Sequence, residues 1–253
     1  MNLDDFAASM KRQECYQSLR LLDGAWSVIR VDGRGFSKLT ERAFEKPYDV
    51  RFRDLMHEAG VALVDDFQGV CAYVQSDEIS LVLPPDWALF DRRVEKIVSL
   101  TAALASATFS LGLGEVIQFD SRVWVGVDVD AVVNYMRWRE ADATRCALNT
   151  ACYWALRNEG KSARQATSIL SGATISQKNE LLFERGQNFN DFPVWQKRGV
   201  LLHWETYQKE GYNPIKEETV LTERRRIAID SELPMKQAFG DRVREILLEV
   251  SKN

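Results

Sequence analysis

Three acidic residues stand where the chain is predicted to leave or turn between strands. Asp32 follows an apolar run at 26–31, and Asp77 and Glu78 separate two short apolar runs at 70–74 and 79–83. Two carboxylates and a carbonyl oxygen, such as that of Gly33, form a hard oxygen site suited to Mg²⁺. Two such ions can activate an attacking hydroxyl and neutralise a departing pyrophosphate. The alternative is that Asp32 and Asp77 only shape turns, where Asp is common.

The segment that begins at Asp32 is a candidate phosphate-binding loop. It reads Asp-Gly-Arg-Gly-Phe-Ser over residues 32–37. Two glycines allow a sharp turn and let backbone N–H groups face anionic oxygens. The segment contains neither the GxxxxGK[ST] nor the GxGxxG pattern, so by itself it is also consistent with a plain turn between a strand and a loop.

Basic residues near the start of a predicted helix offer a second phosphate contact. Arg93 and Lys96 are three positions apart and therefore share a helix face. If that face points toward the hairpin that carries Asp77, the two cations can hold a triphosphate. The alternative is a solvated charged face, which is also the simpler interpretation of Lys46 and Asp49 beside Pro47.

Further cations and amides in the second half could bind an RNA backbone. The alternative is ordinary solvated surface, and the tryptophans at 138, 154 and 195 are predicted to be core residues rather than platforms for bases. The polar candidates are Lys178, Asn179, the loop at 188–191, Lys197, Arg198 and the arginines at 224–226.

The elements that must position these residues follow the order β-α-β-β-α-β. This order predicts a ferredoxin-like α+β fold, an antiparallel sheet with two helices on one face. In such a sheet Asp32 and Asp77 meet at one edge although 45 positions separate them. Periodicity and turn signals place the strands at 26–31, 70–74, 79–83 and 119–125 and the helices at 50–67 and 87–110, preceded by an N-terminal helix at 4–22.

The chain after residue 127 is predicted to be mostly helical. We divide it into a catalytic half, residues 1–127, and a helical second half, residues 128–253, packed as one compact unit. A Ser162–Gln165 capping box marks one helix start. The predicted helices are 132–156, 162–170, 174–183 and 235–250, with strands at 200–204 and 226–229.

Composition limits the functional classes. The chain has 253 residues, and its 33 basic and 37 acidic side chains give a net charge of −4. This argues against a uniformly basic nucleic-acid coat but permits a local basic patch. The four cysteines form no CxxC pair, so we expect no structural zinc and a cytoplasmic location. An acidic N-terminus without a leader, and the lack of an apolar run near the ~20 residues that cross a bilayer, predict no membrane association.

Five motifs together resemble the tRNA(His) guanylyltransferase superfamily, and within it the guanylyltransferase-like proteins of bacteria and archaea. The resemblance runs from about residue 10 to residue 203. The motifs are MKRQE at 10–14, RVDGRGF at 30–36, AYVQSDEIS at 72–80, WREADATRCALN at 138–149 and KNELLFERGQNFNDFPVWQKRG at 178–199.

The resemblance implies a polymerase-type palm with additional helices and a small C-terminal extension. It implies nucleotide addition to the 5′ end of a tRNA, the reverse of the usual polymerase direction. ATP would activate the 5′-monophosphate, and the 3′-hydroxyl of an incoming GTP or other nucleoside triphosphate would then expel the activating group. Members of the superfamily are usually homotetramers, with tRNA spanning more than one subunit.

The resemblance also assigns roles to residues of this sequence. Asp32, the Gly33 carbonyl and Asp77 would bind two Mg²⁺ ions, supported by Glu78. The residues implied in nucleotide binding are Gly33, Arg34, Gly35, Phe36, Ser37, Lys46, Asp49, Ser76, Arg93 and Lys96, and those implied at the RNA end are Lys178, Asn179 and Asn188.

Two departures from the eukaryotic pattern bear on the substrate. Ser37 stands where the eukaryotic enzymes carry a His, and residues 143–149 replace a HINNLYN-like stretch that reads the His anticodon. These departures favour template-dependent repair of 5′-truncated tRNAs over tRNA(His)-specific guanylylation. A nucleotidyl cyclase with the same palm and a non-catalytic RNA-binding protein are the alternatives from other functional classes.

Overall fold

The structure, a computed structural model, describes residues 2–213 and 218–250. Over these ranges it contains a six-stranded antiparallel sheet with helices on both faces, in the strand order β4-β1-β3-β2-β5-β6. The strands are β1 (Trp26–Gly33), β2 (Cys71–Gln75), β3 (Glu78–Leu83), β4 (Phe119–Gly126), β5 (Val200–Asn213) and β6 (Glu218–Asp230). The helices are α1 (Leu3–Lys11), α2 (Phe36–Ala43), α3 (Val50–Asp66), α4 (Val94–Leu113), α5 (Val129–Asn158), α6 (Ala163–Leu170), α7 (Ile175–Phe183), α8 (Val194–Arg198) and α9 (Lys236–Val250).

The predicted α+β, ferredoxin-like fold is confirmed in the first half. Strands β1 to β4 and helices α3 and α4 follow in the β-α-β-β-α-β order. Side chains alternate across a strand, so one face of β1 presents Ile29 and Val31 to α3 and α4. The other face presents Val28, which packs with residues of α5 and α9. The sheet is therefore covered on both sides, and only its ends remain open for a site.

The second half adds strands as well as helices. Strand β5 pairs with β2 and then continues in a long hairpin with β6, from Leu201 opposite Asp230 outward. The sequence indicates only the inner parts of these strands, at 200–204 and 226–229. Beyond Trp204 the residues are mostly polar or charged, so the apolar signal that predicts a buried strand ends where the hairpin leaves the core.

Two of the predicted helices, the N-terminal one and the one after β3, begin or end elsewhere. The N-terminal helix stops at Lys11 instead of residue 22. No residue of α1 is buried, so packing does not extend the helix. The Leu21 N–H donates to the carbonyl of Arg92 at 2.9 Å instead of to a carbonyl one helical turn earlier. The helix predicted from residue 87 starts only at Val94. Residues 90–92 have positive φ angles of 54°, 59° and 57°, which an α-helix does not tolerate.

Helix α4 corrects the expectation that the chain lacks an apolar run of membrane-spanning length. Its 20 residues are long and apolar enough to cross a bilayer by length and composition. In the structure the helix lies against the sheet, with Ile97, Thr101, Ala105 and Phe109 buried along one face. Spacing of three to four residues is that of a helix packed on a core.

Candidate active site

The end of β1 and the β2–β3 turn meet at one edge of the sheet. Asp32 lies directly opposite Glu78 in the β1–β3 register. The Gly33 N–H donates a 2.9 Å hydrogen bond to the carbonyl of Asp77, which fixes the turn against the strand. Burial, and next the negative charge of Asp32, raise the pKa of Asp77 to about 6. The two carboxylates that the sequence separates are thus electrostatic neighbours, as predicted.

This edge carries a pair of carboxylates rather than a closed metal cage. In the described ranges, 2–213 and 218–250, no three His, Cys, Asp or Glu side chains converge into a ready-made metal site. Mg²⁺ is commonly held by only one or two protein carboxylates and completes its shell with phosphate oxygens and water. Because Asp32 and Asp77 repel each other, a divalent cation between them would reduce this electrostatic repulsion. The donor set therefore fits Mg²⁺, with the Gly33 carbonyl as the third oxygen.

Glu78 does not share this opening. Its side chain is buried, and both carboxylate oxygens accept hydrogen bonds of 2.7 Å from Arg139 of α5. The Arg30 guanidinium lies 3.9 Å away on the same sheet face. Glu78 therefore supports the hairpin, which agrees with the supporting role that the motif implies.

The loop after Asp32 leads directly into a short helix. Gly35 adopts the left-handed conformation, with φ of 76°, and ends the turn at the start of α2. At Gly33 a Cβ atom would lie 2.3 Å from the ring of Phe36, so no side chain fits there. No side chain caps α2, which leaves the positive end of the helix at Phe36 and Ser37 available to an anion. The predicted phosphate-binding role of this segment thus has a structural basis.

Arg34 and Ser76 are the other residues near this loop that the motifs imply in nucleotide binding. The Arg34 N–H donates to the carbonyl of Gln118 at 2.8 Å, and its guanidinium donates to the Gln118 side chain at 3.2 Å. The Arg34 side chain thus faces the α4–β4 loop. Ser76 is exposed in the β2–β3 turn, with φ of 49°. Both lie beside the Asp32–Asp77 edge.

A cavity of about 430 Å³ opens next to Asp77, between α2, α3 and the middle of α5. This volume lies within the range of sites that hold a nucleotide-sized ligand. Its lining includes the polar residues Ser37, Lys46 and Ser76 and the aromatic residues Tyr48, Phe52, Trp154 and Trp195.

Lys46 is a half-buried cation in the lining of this cavity. Its ammonium lies 5.5 Å from the centre of the Trp154 ring, within cation–π range. Burial lowers the Lys46 pKa, while the charges of Glu41 and Asp77 act in the opposite direction. A partly desolvated ammonium beside a carboxylate pair is well placed to bind a phosphate that also meets a metal ion.

Asp49 lines the cavity, but its hydrogen bonds stabilise the loop at 45–51. Its carboxylate accepts from the N–H groups of Glu45 and Arg51, both at 2.8 Å, and from the Arg51 guanidinium at 2.6 Å. These hydrogen bonds, above all the one from the Arg51 side chain, hold the pKa of Asp49 well below its usual range. Asp49 thereby orders the loop that carries Lys46.

Arg93 and Lys96 lie far from this cavity. They occupy the start of α4, whereas the loop after the end of α4 leads to Phe119, the partner of Gly33. A helix of 20 residues is about 30 Å long. The condition for a shared triphosphate site, a helix face directed at the hairpin tip, is therefore not met within this chain.

The three residues predicted at the RNA end lie on the second half, outside the lining of the cavity. Lys178 and Asn179 belong to α7, which packs against α5, and the Asn179 amide donates to the Ile175 carbonyl at 2.9 Å. The Asn188 side chain accepts from the Asn190 N–H at 3.1 Å and starts a single helical turn. Their RNA-binding role stays a prediction.

Sequence reasoning missed several residues of the site. Lys197, treated as surface, is buried, lines the cavity and donates to the Asn190 carbonyl at 2.6 Å. Trp154 and Trp195, predicted in the core, line the cavity, and Trp138 is 54% exposed. Arg139, Trp195 and Lys197 all lie in the quoted motifs, which was the available signal; their burial depends on packing between distant elements.

The fold and the acidic pair together define a class of protein. Paired carboxylates lie at the edge formed by the first strand and a β-hairpin, two helices back the sheet, and a nucleotide-sized cavity adjoins the acidic pair. This is the arrangement of a palm-type nucleotidyltransferase.

Family models place the chain within that class. Residues 7–131 match the model described as tRNAHis guanylyltransferase, and residues 130–238 match the model of the C-terminal domain of the same family. The chain therefore belongs to the tRNA(His) guanylyltransferase family.

Individual relatives agree with the family models. A probable tRNA(His) guanylyltransferase of Drosophila melanogaster is 34% identical over 194 residues, 72% of this chain and 68% of the relative. The similar stretch covers only 36% of tRNA(His) guanylyltransferase 2 of Arabidopsis thaliana, so the chain spans about a third of that protein's length. A bacterial tRNA(His) guanylyltransferase-like protein, solved in complex with ATP, superposes with a TM-score of 0.74 at 26% identity, covering 96% of this chain and 99% of that one.

Proposed function

We propose that this protein adds nucleotides in the 3′–5′ direction to the 5′ end of a tRNA, dependent on a template base and two Mg²⁺ ions. The observation that carries the proposal is the pair Asp32 and Asp77 at one sheet edge, beside the nucleotide-sized cavity. Family membership supports the reaction class, and the bacterial neighbour solved in complex with ATP supports a nucleotide triphosphate as a ligand.

The chain's own residues account for binding and orientation. When bound, the ions would activate the 3′-hydroxyl and neutralise the departing phosphates. Asp32, Asp77 and the Gly33 carbonyl would hold them. The uncapped N-terminus of α2 and the Lys46 ammonium would bind the triphosphate. The aromatic residues that line the cavity would exclude water from the base.

The segment at 143–149 supports repair over anticodon-specific guanylylation. Ala143 and Ala147 are buried in α5, and the Ala147 carbonyl accepts a 2.9 Å hydrogen bond from the Tyr48 hydroxyl. At these two positions the cavity wall has small apolar side chains, and the segment 143–149 contains no His. The names of the curated relatives favour the second candidate, guanylylation of tRNA(His).

A homotetramer would give Arg93 and Lys96 a role. Because these residues lie about 30 Å along α4 from the acidic edge, they would contact a triphosphate or RNA bound mainly by another subunit. Sedimentation of the protein with and without tRNA tests this part of the proposal.

A 5′-extension assay tests the function. Transcripts lacking one 5′ nucleotide, with each of the four bases opposite the gap, are incubated with ATP, the four nucleoside triphosphates and Mg²⁺. Extension that follows the opposite base supports repair, whereas guanine addition regardless of that base supports the second candidate. Asp32→Asn should reduce extension by about 10³-fold or more, as expected when a metal ligand is lost. Asp66→Asn, at the exposed carboxylate that ends α3, is the matched control.

Two outcomes would reject the proposal. One is full extension activity in both Asp32→Asn and Asp77→Asn. The other is abundant cyclic product from ATP or GTP without any RNA, which would identify a cyclase.

A further inference from the structure

A buried arginine of the second half is bonded to the acidic hairpin of the first half. Arg139 lies on α5 and is 5% exposed. Its Nε and one terminal nitrogen donate to the two oxygens of Glu78, both at 2.7 Å, which is a bidentate contact. The same guanidinium donates to Asp142 at 3.2 Å and lies 4.5 Å from the centre of the Trp138 ring. Arg139 is thus fixed on three sides.

The partner of Arg139 occupies a central position among the acidic residues. Glu78 follows Asp77 in the chain and lies opposite Asp32 in the register. Without the bond to Arg139, a third carboxylate would be free to move beside the two that hold the proposed ions. Arg30 contributes charge but does not fix Glu78, since its Nε lies 3.9 Å away and has no hydrogen-bond partner. The fork of Arg139 therefore neutralises Glu78 and turns it toward α5.

We propose that Arg139 is a positioning residue for the acidic edge: it compensates the charge of Glu78 and holds its side chain fixed, so that Asp32 and Asp77, and not Glu78, face the substrate. This inference rests on the proposed function. It gives the C-terminal half of the chain, which includes α5, a direct part in shaping a site whose acidic residues all belong to the first half.

The energetics of buried ion pairs set the expected pattern of variants. Removing one partner of such a pair leaves a poorly compensated buried charge and is strongly destabilising, whereas replacing both partners by uncharged groups is often neutral. Loss of Arg139 alone should therefore be harmful because Glu78 stays charged. Loss of the Glu78 charge at the same time should restore the site.

The test compares Arg139→Met, Arg139→Lys and the double variant Arg139→Met/Glu78→Gln in the full chain. Extension of the truncated tRNA by Arg139→Met should fall about 100-fold in kcat, with nucleotide KM changed less than about threefold. The double variant should regain at least about tenfold of that loss, and Arg139→Lys, which keeps the charge without the fork, should lie in between.

Binding of Mn²⁺, followed by its electron paramagnetic resonance signal, supplies a readout besides activity. Arg139→Met should bind Mn²⁺ about threefold or more tightly than wild type, because the freed Glu78 adds a negative charge beside the site, and the double variant should return to the wild-type value. Misfolding would instead weaken Mn²⁺ binding in both variants. Arg145→Met is the matched control, since Arg145 is an exposed arginine of the same helix that also contacts Asp142.

The outcomes separate this inference from the proposed function. Wild-type protein that extends no RNA overturns the proposed function. Active wild type with an equally active Arg139→Met overturns the inference, as does a double variant that is no better than Arg139→Met. An equal loss in Arg145→Met and Arg139→Met would also overturn it, because the effect would then belong to the charge of the helix.

Discussion

The N–H of Gly33 donates a hydrogen bond of 2.9 Å to the carbonyl of Asp77. This one contact joins the last residue of β1 to the turn between β2 and β3. It brings an acidic residue of each element to the same edge of the sheet. The two carboxylates then repel each other, so the geometry that suits a cation makes the cation-free protein less stable.

Asp77→Asn should therefore stabilise the metal-free protein while abolishing extension. The folded pKa of Asp77, about 6, lies above its ordinary value of 3.8, so the folded state favours the protonated form. Ionisation costs stability as pH rises from about 4 to about 6, and the full cost is present above that window. At pH 8 the variant should gain roughly 1–3 kcal/mol in free energy of unfolding, measured by urea denaturation with EDTA.

The comparison across pH and Mg²⁺ gives this prediction its control. At pH 4 the variant and wild type should have equal stability, and excess Mg²⁺ at pH 8 should stabilise wild type alone. Asp66→Asn, at an exposed carboxylate, should change the free energy of unfolding by less than about 0.5 kcal/mol at either pH. Lower stability of Asp77→Asn at pH 8 would contradict the argument.

The order of strands was sufficient to predict that Asp32 and Asp77 meet. Each lies where its strand ends, and the β-α-β-β-α-β order makes the strands neighbours. The same reasoning could have placed Arg93 correctly. Strand β3 runs from Glu78 at the acidic edge to Leu83 at the far edge, so a helix that follows it must begin at the far edge. The direction of β3, rather than residue type, decides which end of α4 lies near the site.

Other parts of the site could not be predicted from local pattern. Lys197 lies in a charge pair typical of surface, and its burial depends on the carbonyl of Asn190 and on packing against α5. Trp154 and Trp195 look like core residues in the sequence, because a helix face toward a cavity has the same period as one toward a core. The cavity forms where α5 crosses α2 and α3, a long-range contact.

Lys46→Met should weaken nucleotide binding with little effect on folding. The ammonium is a half-buried cation in the cavity lining, so its loss removes a charge-assisted contact worth about 1–3 kcal/mol and should raise the Kd for ATP about tenfold or more. Trp154, 5.5 Å from the ammonium, provides a fluorescence signal for the titration. Lys161→Met, at an exposed lysine after α5, is the matched control, and an equal rise in Kd there would refute the assignment.

Gly199→Ala should be one of the most damaging small substitutions in the chain. Gly199 has φ of 69°, and an added Cβ would lie 2.3 Å from the carbonyl oxygen of Val74. The backbone of β2 cannot move aside without disturbing the acidic hairpin, so we expect a loss of about 2–4 kcal/mol in free energy of unfolding. Gly186→Ala, at φ of 70° with open space around the new atom, should lose only about 1 kcal/mol. Similar losses at both positions would show that φ alone matters.

Lys96→Ala should leave nucleotide binding in the cavity unchanged. Lys96 lies on the first turn of α4, about 30 Å along that helix from the acidic edge, and charges separated by more than a Debye length of about 8 Å at physiological salt are largely screened. The Kd for ATP, measured by the same fluorescence titration as for Lys46→Met, should stay within about twofold of wild type. If another subunit supplies Lys96 to the RNA, the variant should instead weaken tRNA binding and reduce its salt dependence by about one ion. A tenfold rise in the Kd for ATP would show that α4 reaches a nucleotide after all, and would reverse the placement of Arg93 and Lys96 outside the cavity.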